Sequence, residues 1–242
     1  MQPAPIAELL RPFLSSCHSE SGRRPGEACP ERSRREPAVL SPAQLQDIST
    51  YIDILLRWNA RINLTAVRHG EDIVTRHFGE SFFAARHLFP ATAPAGTAAP
   101  GERSSVLHVA DLGSGAGFPG IPIKLWARDV SMTLIESNQK KATFLREVVR
   151  SLTLTDVDVQ NTRAETVRET FDLVTLRAVE RFAHVLPVAA RLLTSNARLA
   201  LLIGSPQADE ARAILPDLSW RDPLSVPESK SRILLVGSSA PS

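Results

Sequence analysis

At 242 residues with 43% hydrophobic content, the chain can bury a sizeable core as one large domain or two small ones. A net charge of +2 excludes a uniformly basic surface, so a nucleic acid would have to be met by a local basic face. The two cysteines, Cys17 and Cys29, exclude a disulfide framework and a Cys-based zinc site, which suits a reducing cytosol, and no apolar run approaches the ~20 residues of a membrane-spanning helix.

A short helix is expected around Ile6 to Leu14. The tetrapeptide Leu14-Ser15-Ser16-Cys17 has the form of a lipoprotein cleavage box, but no Lys or Arg opens the segment before it, and Arg11 and Pro12 break its apolar run. Residues 15–40 are rich in Arg, Ser, Glu and Pro without hydrophobic periodicity, so they read as a disordered, solvated insertion whose arginines are offset by Glu20, Glu27, Glu31 and Glu36. Ser41-Pro42-Ala43-Gln44 is a capping box with Pro at the first helical position. Leu45, Ile48, Ile52, Leu55 and Leu56 then recur at helical spacing over 42–58. A second helix is expected over about 71–88, with Ile73, Val74, Phe78, Phe82, Ala85 and Leu88 on its apolar side. The Pro/Ala/Gly-rich stretch after it reads as a linker. The chain thus divides into a mostly disordered segment at 1–40, a helical extension at 41–90, a linker at 91–105 and an α/β domain at 106–242. In that domain strands are expected at 106–112, 132–136, 157–161, 171–177, 198–203 and 232–237, with a weaker one near 218–224. Helices are expected at 119–127, 138–151, 181–193 and 206–214. Repeated βα units ending in a hairpin describe a Rossmann-like, seven-stranded S-adenosylmethionine-dependent methyltransferase fold.

The first βα turn carries the chemistry. Val106, Leu107 and Val109 lead to Asp111-Leu112, and Gly113, Gly115, Gly117 and Gly120 follow. Such a turn brings backbone N–H groups and a helix N-terminus against a nucleotide-type ligand. Glu136, ending the second strand, suits a pair of ribose hydroxyls in NAD enzymes and methyltransferases alike. The spacing separates them. A dinucleotide fingerprint requires a third glycine where this chain has Phe118, and Asp111 suits the cationic amino-acid moiety of S-adenosylmethionine better than a pyrophosphate. Dehydrogenase and ligand-free turn remain as second and third readings. On the acceptor side, C5 methylation of a pyrimidine lacks a plausible cysteine nucleophile. The Asn/Asp-Pro-Pro-aromatic motif of exocyclic amine methylation is absent, since that place reads Thr175-Leu176-Arg177-Ala178. A ring nitrogen such as guanine N7 requires no general base and fits by alignment alone.

Several stretches together resemble the bacterial 16S ribosomal RNA guanine-N7 methyltransferase family. They are Trp58-Asn59 with Asn63-Leu64-Thr65 and Arg68, Arg76-His77 with Ser81, DLGSGAGFPGIP from Asp111, Lys140-Lys141 with Phe144-Leu145, Thr162-Arg163-Ala164-Glu165, and Arg177-Ala178. The resemblance implies S-adenosylmethionine as cofactor, no metal, a cytoplasmic location, and 16S rRNA or the small ribosomal subunit as partner. It places the cofactor against Gly113, Gly115 and Phe118, its ribose at Glu136, Ser137 and Asn138, and its adenine near Ala164 and Glu165. Arg177 is expected at the methionine end and the substrate side. Arg163, Arg177 and His77 are the expected catalytic or base-facing groups, with Arg76 beside them, and Lys140, Lys141, Arg146 and Arg150 on one helix suit phosphate contact.

Two departures accompany the resemblance. Glu80 stands where the family often has Asp, and Ile203 stands before Gly204 where the family often has Lys. A small-molecule methyltransferase and a non-catalytic S-adenosylmethionine- and RNA-binding assembly factor are the alternatives.

Overall fold

Alternation along the strands decides the layout. In β1 (His108–Leu112), successive side chains point to opposite faces of the sheet, so Val109 joins one apolar core and Ala110 and Leu112 the other. The computed structural model describes residues 1–15, 39–90, 106–178 and 181–241. β2 (Ser131–Ile135), β3 (Val157–Gln160), β4 (Phe171–Arg177) and β5 (Leu193–Gly204) are parallel to β1 and to one another where they pair. β8 (Arg232–Ser238) runs antiparallel along β5, and the two-residue strands β6 (Ser219–Trp220) and β7 (Leu224–Ser225) both pair with β8. The order is β3-β2-β1-β4-β5-β8-β6, so β6 and β7 share the seventh place that one weak strand was expected to fill.

One face of the sheet carries α7 (Phe182–Arg191) and α8 (Gln207–Ile214), whose Phe182, Leu186, Ala189, Ala208 and Ala211 bury against Ala110, Val174, Leu199 and Leu201. The other face carries α5 (Gly120–Trp126) and α6 (Gln139–Ser151), and with them the whole helical extension: α1 (Pro3–Leu14), α2 (Pro42–Asn59), α3 (Gly70–Ile73) and α4 (Glu80–Leu88). Ile6, Leu10, Phe13, Ile48, Tyr51, Leu55, Phe78 and Phe82 belong to the same buried cluster as Val109, Leu134 and Phe144. The α1 helix, expected around Ile6 to Leu14, forms and belongs to this core; residues 16–38, with the Arg-rich run and both cysteines expected to be disordered, and the linker at 91–105 lie outside the described residues.

The α2 capping box is formed, Gln44 N donating to Ser41 Oγ at 3.2 Å and Ser41 N to Gln44 Oε1 at 2.8 Å. The second expected helix is in three pieces. Between α3 and α4 the backbone opens into a π-helical turn, Val74–Gly79, an insertion that shifts the residues after it around the axis. The turn ends at Gly79, where a Cβ would sit 2.6 Å from the Phe13 ring, so α1 can lie against it only because no side chain is there. β5 begins at Leu193, earlier than the expected 198, because β4 and β5 stay paired across an irregularity between Phe171 and Leu173.

Candidate active site

The strand order reverses between β1 and β4, and a cleft forms outside the carboxyl ends of strands at such a point. A cavity of about 700 Å³ lies there, within the ~300–1,000 Å³ usual for small-molecule sites. Its floor is the Gly-rich turn. Gly113, Gly115 and Gly117 all have positive φ. At Gly117 (φ +85) a Cβ would also collide with Tyr51 Oη and come within 2.7 Å of Ile121, so the position excludes every side chain twice over. Tyr51, fully buried on α2, donates its hydroxyl to Ala116 O and stacks on Phe118 at 5.3 Å with an interplanar angle of 5°. The extension thus grips the turn from below.

Glu136, the residue expected at the ribose, lines the cavity. Its carboxylate is held by two backbone N–H groups, Gly115 N to Oε2 at 2.9 Å and Asn138 N to Oε1 at 2.7 Å. Each oxygen keeps a lone pair on the cavity wall, the arrangement a vicinal diol requires. Ser137 and Asn138 also line the cavity, but the Asn138 side chain caps α6, accepting from Lys140 N and Lys141 N at 2.9 and 3.2 Å. Asn161 Nδ2 anchors the same loop on Glu136 O and Ser137 O. Ala164 and Glu165 form the opposite wall on a 3₁₀ turn, Ala164–Thr166. Glu165 pairs with His184 at 3.3 Å, and its own backbone amide, then His184, hold its carboxyl below the usual range.

Asp111 departs from expectation. It is 1% exposed and does not line the cavity. The pleat turns its side chain toward α5, where Oδ2 accepts from Gly120 N at 3.2 Å and Oδ1 from Thr175 Oγ1 at 2.8 Å. Burial raises its pKa to about 6 despite these bonds. Its role is to bind the start of α5 to the sheet, and the close packing expected of a third fingerprint glycine falls to Gly120, where a Cβ would lie 2.5 Å from Leu134 and 2.9 Å from Asp111.

The far end of the cavity holds Phe118, His77, Thr65 and Arg177. Phe118 is 4.9 Å from the His77 ring and 5.9 Å from the Arg177 guanidinium, which lies over its face. Arg177, at the end of β4, donates Nε to Glu80 Oε2 at 3.2 Å, and the two protons of its Nη2 are shared among Glu80 Oε2 at 3.0 Å, Arg76 O at 2.6 Å and His77 Nδ1 at 3.0 Å. Glu80 is shared with Arg232 of β8 at 3.5 Å. Since a guanidinium only donates, His77 Nδ1 accepts, and the ring is neutral with its proton on Nε2. Burial and the charge of Arg177 lower the His77 pKa to about 3. Nε2 then donates to Thr65 Oγ1 at 2.7 Å. His77 therefore lines the cavity as a fixed neutral ring with both nitrogens engaged rather than as a proton carrier. Arg163 lies exposed on the rim, with Lys141 and Arg181 also on the wall.

Glu80 stands out in the sequence only as a departure from the family pattern, and Thr65, Tyr51 and Arg232 carry no individual signal there. The Trp58-Asn59 and Asn63-Leu64-Thr65 stretches gave the one available signal. Buried Asn59 folds the loop over, its Oδ1 accepting from Leu64 N and Thr65 N and its Nδ2 donating to Thr65 O, all at 3.0 Å.

The family model described as rRNA small subunit methyltransferase G matches residues 44–231. The chain belongs to this family. A Roseiflexus sp. (strain RS-1) ribosomal RNA small subunit methyltransferase G is 38% identical over 210 residues, 81% of this chain and 84% of the relative. The Aquifex aeolicus protein of the same name is 40% identical over 166 residues, 67% of this chain and 78% of that one. Among solved structures, the Synechocystis magnesium protoporphyrin IX methyltransferase shares the fold at TM-score 0.58 and 15% identity, covering 80% of this chain and 97% of that chain. As a member of the family, the chain is a methyltransferase with S-adenosylmethionine as methyl donor. The cavity fits that donor: the Glu136 carboxylate faces it, and the Gly turn presents backbone without Cβ atoms.

Proposed function

We propose that the protein methylates N7 of a guanine in 16S rRNA, on the small ribosomal subunit or its precursor, in the cytoplasm. Membership of the rRNA small subunit methyltransferase G family supports an rRNA substrate. Among the described residues no helix is long and apolar enough to cross a membrane, and no group of His, Cys, Asp and Glu could hold a metal ion.

The observation that carries the guanine N7 reading is the state of the acid–base groups on the cavity wall. Glu136 is committed to two backbone N–H groups and, in this reading, to the ribose hydroxyls of the donor, Glu165 has its pKa lowered, and His77 has its Nδ1 lone pair occupied by Arg177. None is poised to take a proton. Such a site serves a nucleophile that arrives unprotonated, and guanine N7, with an in-plane lone pair at neutral pH, is one. S-adenosylmethionine supplies an electrophilic methyl group on a sulfonium centre. Catalysis by the chain is then alignment. Glu136 and the turn at Gly113 and Gly115 hold the nucleoside half of the donor, Ala164 and Glu165 flank its base, and Phe118 and Arg177 border the end where methyl and acceptor meet. Arg163, Lys141, Arg181 and the exposed Arg61, Arg68 and Arg76 provide cationic groups for phosphates, with Lys140, Arg146 and Arg150 on α6.

The test is mass-spectrometric mapping of 16S rRNA from cells lacking the protein. One N7-methylguanosine should disappear and return on complementation. An unchanged guanine profile, or the loss of a methyl group from another base or atom, would overturn the reading.

A further inference from the structure

The hydroxyl of Thr65 has its hydrogen-bonding roles assigned by its neighbours. A threonine hydroxyl offers two lone pairs and one proton. His77 Nε2–H donates to Oγ1 at 2.7 Å, and the tautomer that makes it a donor is dictated by Arg177 Nη2 at Nδ1, 3.0 Å away. Val67 N–H donates to the same oxygen at 3.1 Å. Both lone pairs are then in use, and the proton is the only capacity left. Among the described residues Oγ1 donates to no acceptor, and Thr65 lines the cavity beside His77 and Phe118.

We propose that Thr65 is the residue that reads O6 of the target base, as an obligatory hydrogen-bond donor, an inference that rests on guanine N7 being the methylated atom. N7 and O6 are neighbouring acceptors on one edge of guanine, so a base with N7 turned to the methyl end of the cavity presents O6 beside it. In adenine the same place is an N6 amino group, a donor. A free hydroxyl serves either base by rotating; this one cannot, because turning its proton away from the cavity would leave either the Val67 N–H or the His77 Nε2–H without an acceptor. The chain Glu80–Arg177–His77–Thr65 thus converts an ambivalent hydroxyl into a discriminating one.

The experiment is a two-by-two cycle. Small subunits are reconstituted with 16S rRNA bearing either guanine or 2-aminopurine, which keeps N7 but lacks O6, at the methylated position. Wild type, Thr65→Ser and Thr65→Val are compared by kcat/KM, and by subunit affinity without cofactor. Any change in the intrinsic nucleophilicity of N7 is common to all enzymes and cancels. Wild type and T65S should prefer guanine by on the order of tenfold more than T65V does, in both readouts. Should T65V fail to fold, judged by circular dichroism and S-adenosylhomocysteine affinity, Thr65→Cys, a weak donor and acceptor, takes its place. A preference unchanged by the valine or cysteine substitution, with wild type active on guanine, would assign O6 to another donor such as Arg177 and overturn the proposal alone. Wild type that methylates no guanine N7 overturns the underlying reading and the proposal with it.

Discussion

Replacing Glu80 with Gln tests the reasoning about the far end of the cavity most directly. The Glu80 and Arg177 side chains are each 10% exposed, joined through two N–H donors at 3.0 and 3.2 Å, and Arg232 stands 3.5 Å from the same carboxylate oxygen. Burial lowers the Arg177 pKa, and Glu80 is the first of the groups opposing that shift. Removing the carboxylate charge leaves two guanidiniums facing each other in a poorly solvated place. Breaking a buried pair this way costs ~3–5 kcal/mol. Arg177 keeps Arg76 O and the His77 ring, so the lower end applies, ~3 kcal/mol, which for a chain of this size lowers Tm by roughly 6–12 °C. Denaturant unfolding of the purified variant measures the loss. The cycle with Arg177→Met identifies its source: the double variant, in which Arg232 is the one charge left of the three, should be destabilised by at least ~1.5 kcal/mol less than the sum of the single variants. A loss under ~1 kcal/mol for E80Q, or strict additivity, would show that Glu80 and Arg177 do not depend on one another and would remove the physical basis assigned here to the fixed His77 ring.

Three further outcomes are expected. Glu136→Gln should weaken S-adenosylhomocysteine binding by on the order of tenfold or more in calorimetry, since an amide cannot accept from two hydroxyls and two backbone N–H groups at once; an affinity unchanged within twofold would move the ribose elsewhere. Gly117→Ala should cost ~2 kcal/mol or more in unfolding, the φ of +85 and the contact with Tyr51 acting together, and pairing it with Tyr51→Phe should relieve only part of that, because Ile121 still obstructs. The Asp111 carboxyl holds its proton to about pH 6 in the folded chain against the ordinary value of 3.8, so the folded state binds more protons in that window and stability falls as pH rises through it, by ~3 kcal/mol in total. Asp111→Asn should abolish that slope; a pH dependence identical to wild type between pH 4 and 6 would contradict the assignment.

The sheet and its helices were legible because their signals are local: apolar runs, a Gly-rich turn and the capping box at Ser41 each state their own conformation. The side of the cavity lined by Gly113, Gly115 and Glu136 was legible for the same reason, since the three belong to one βαβ unit. The other end was not. Glu80, Arg177 and Arg232 come from α4, β4 and β8, and only the register Gly204↔Arg232 at the end of the sheet brings the third within reach of the first. The π turn left no mark in a pattern of Ile73, Val74, Phe78 and Phe82 that reads equally well as plain helix. Asp111 shows the converse error. Its place before the turn was correctly read, but a strand residue points to one face only, and the face was set by β1 alternation rather than by proximity to the glycines.

The stacking of Tyr51 on Phe118 has a consequence for how this chain can be taken apart. Residues 1–90 and 106–242 each own half of a single apolar cluster: Ile6, Phe13, Ile52 and Phe82 on one side, Val109, Ile121, Leu134 and Phe144 on the other. A fragment ending at 90 presents an uncovered hydrophobic surface to water, and a fragment starting at 106 has a sheet stripped on one face and a glycine loop without its aromatic backing. The two are complementary halves rather than module and appendage. Co-expressed as separate polypeptides they are expected to reassemble on that shared cluster, whereas either alone is expected to aggregate.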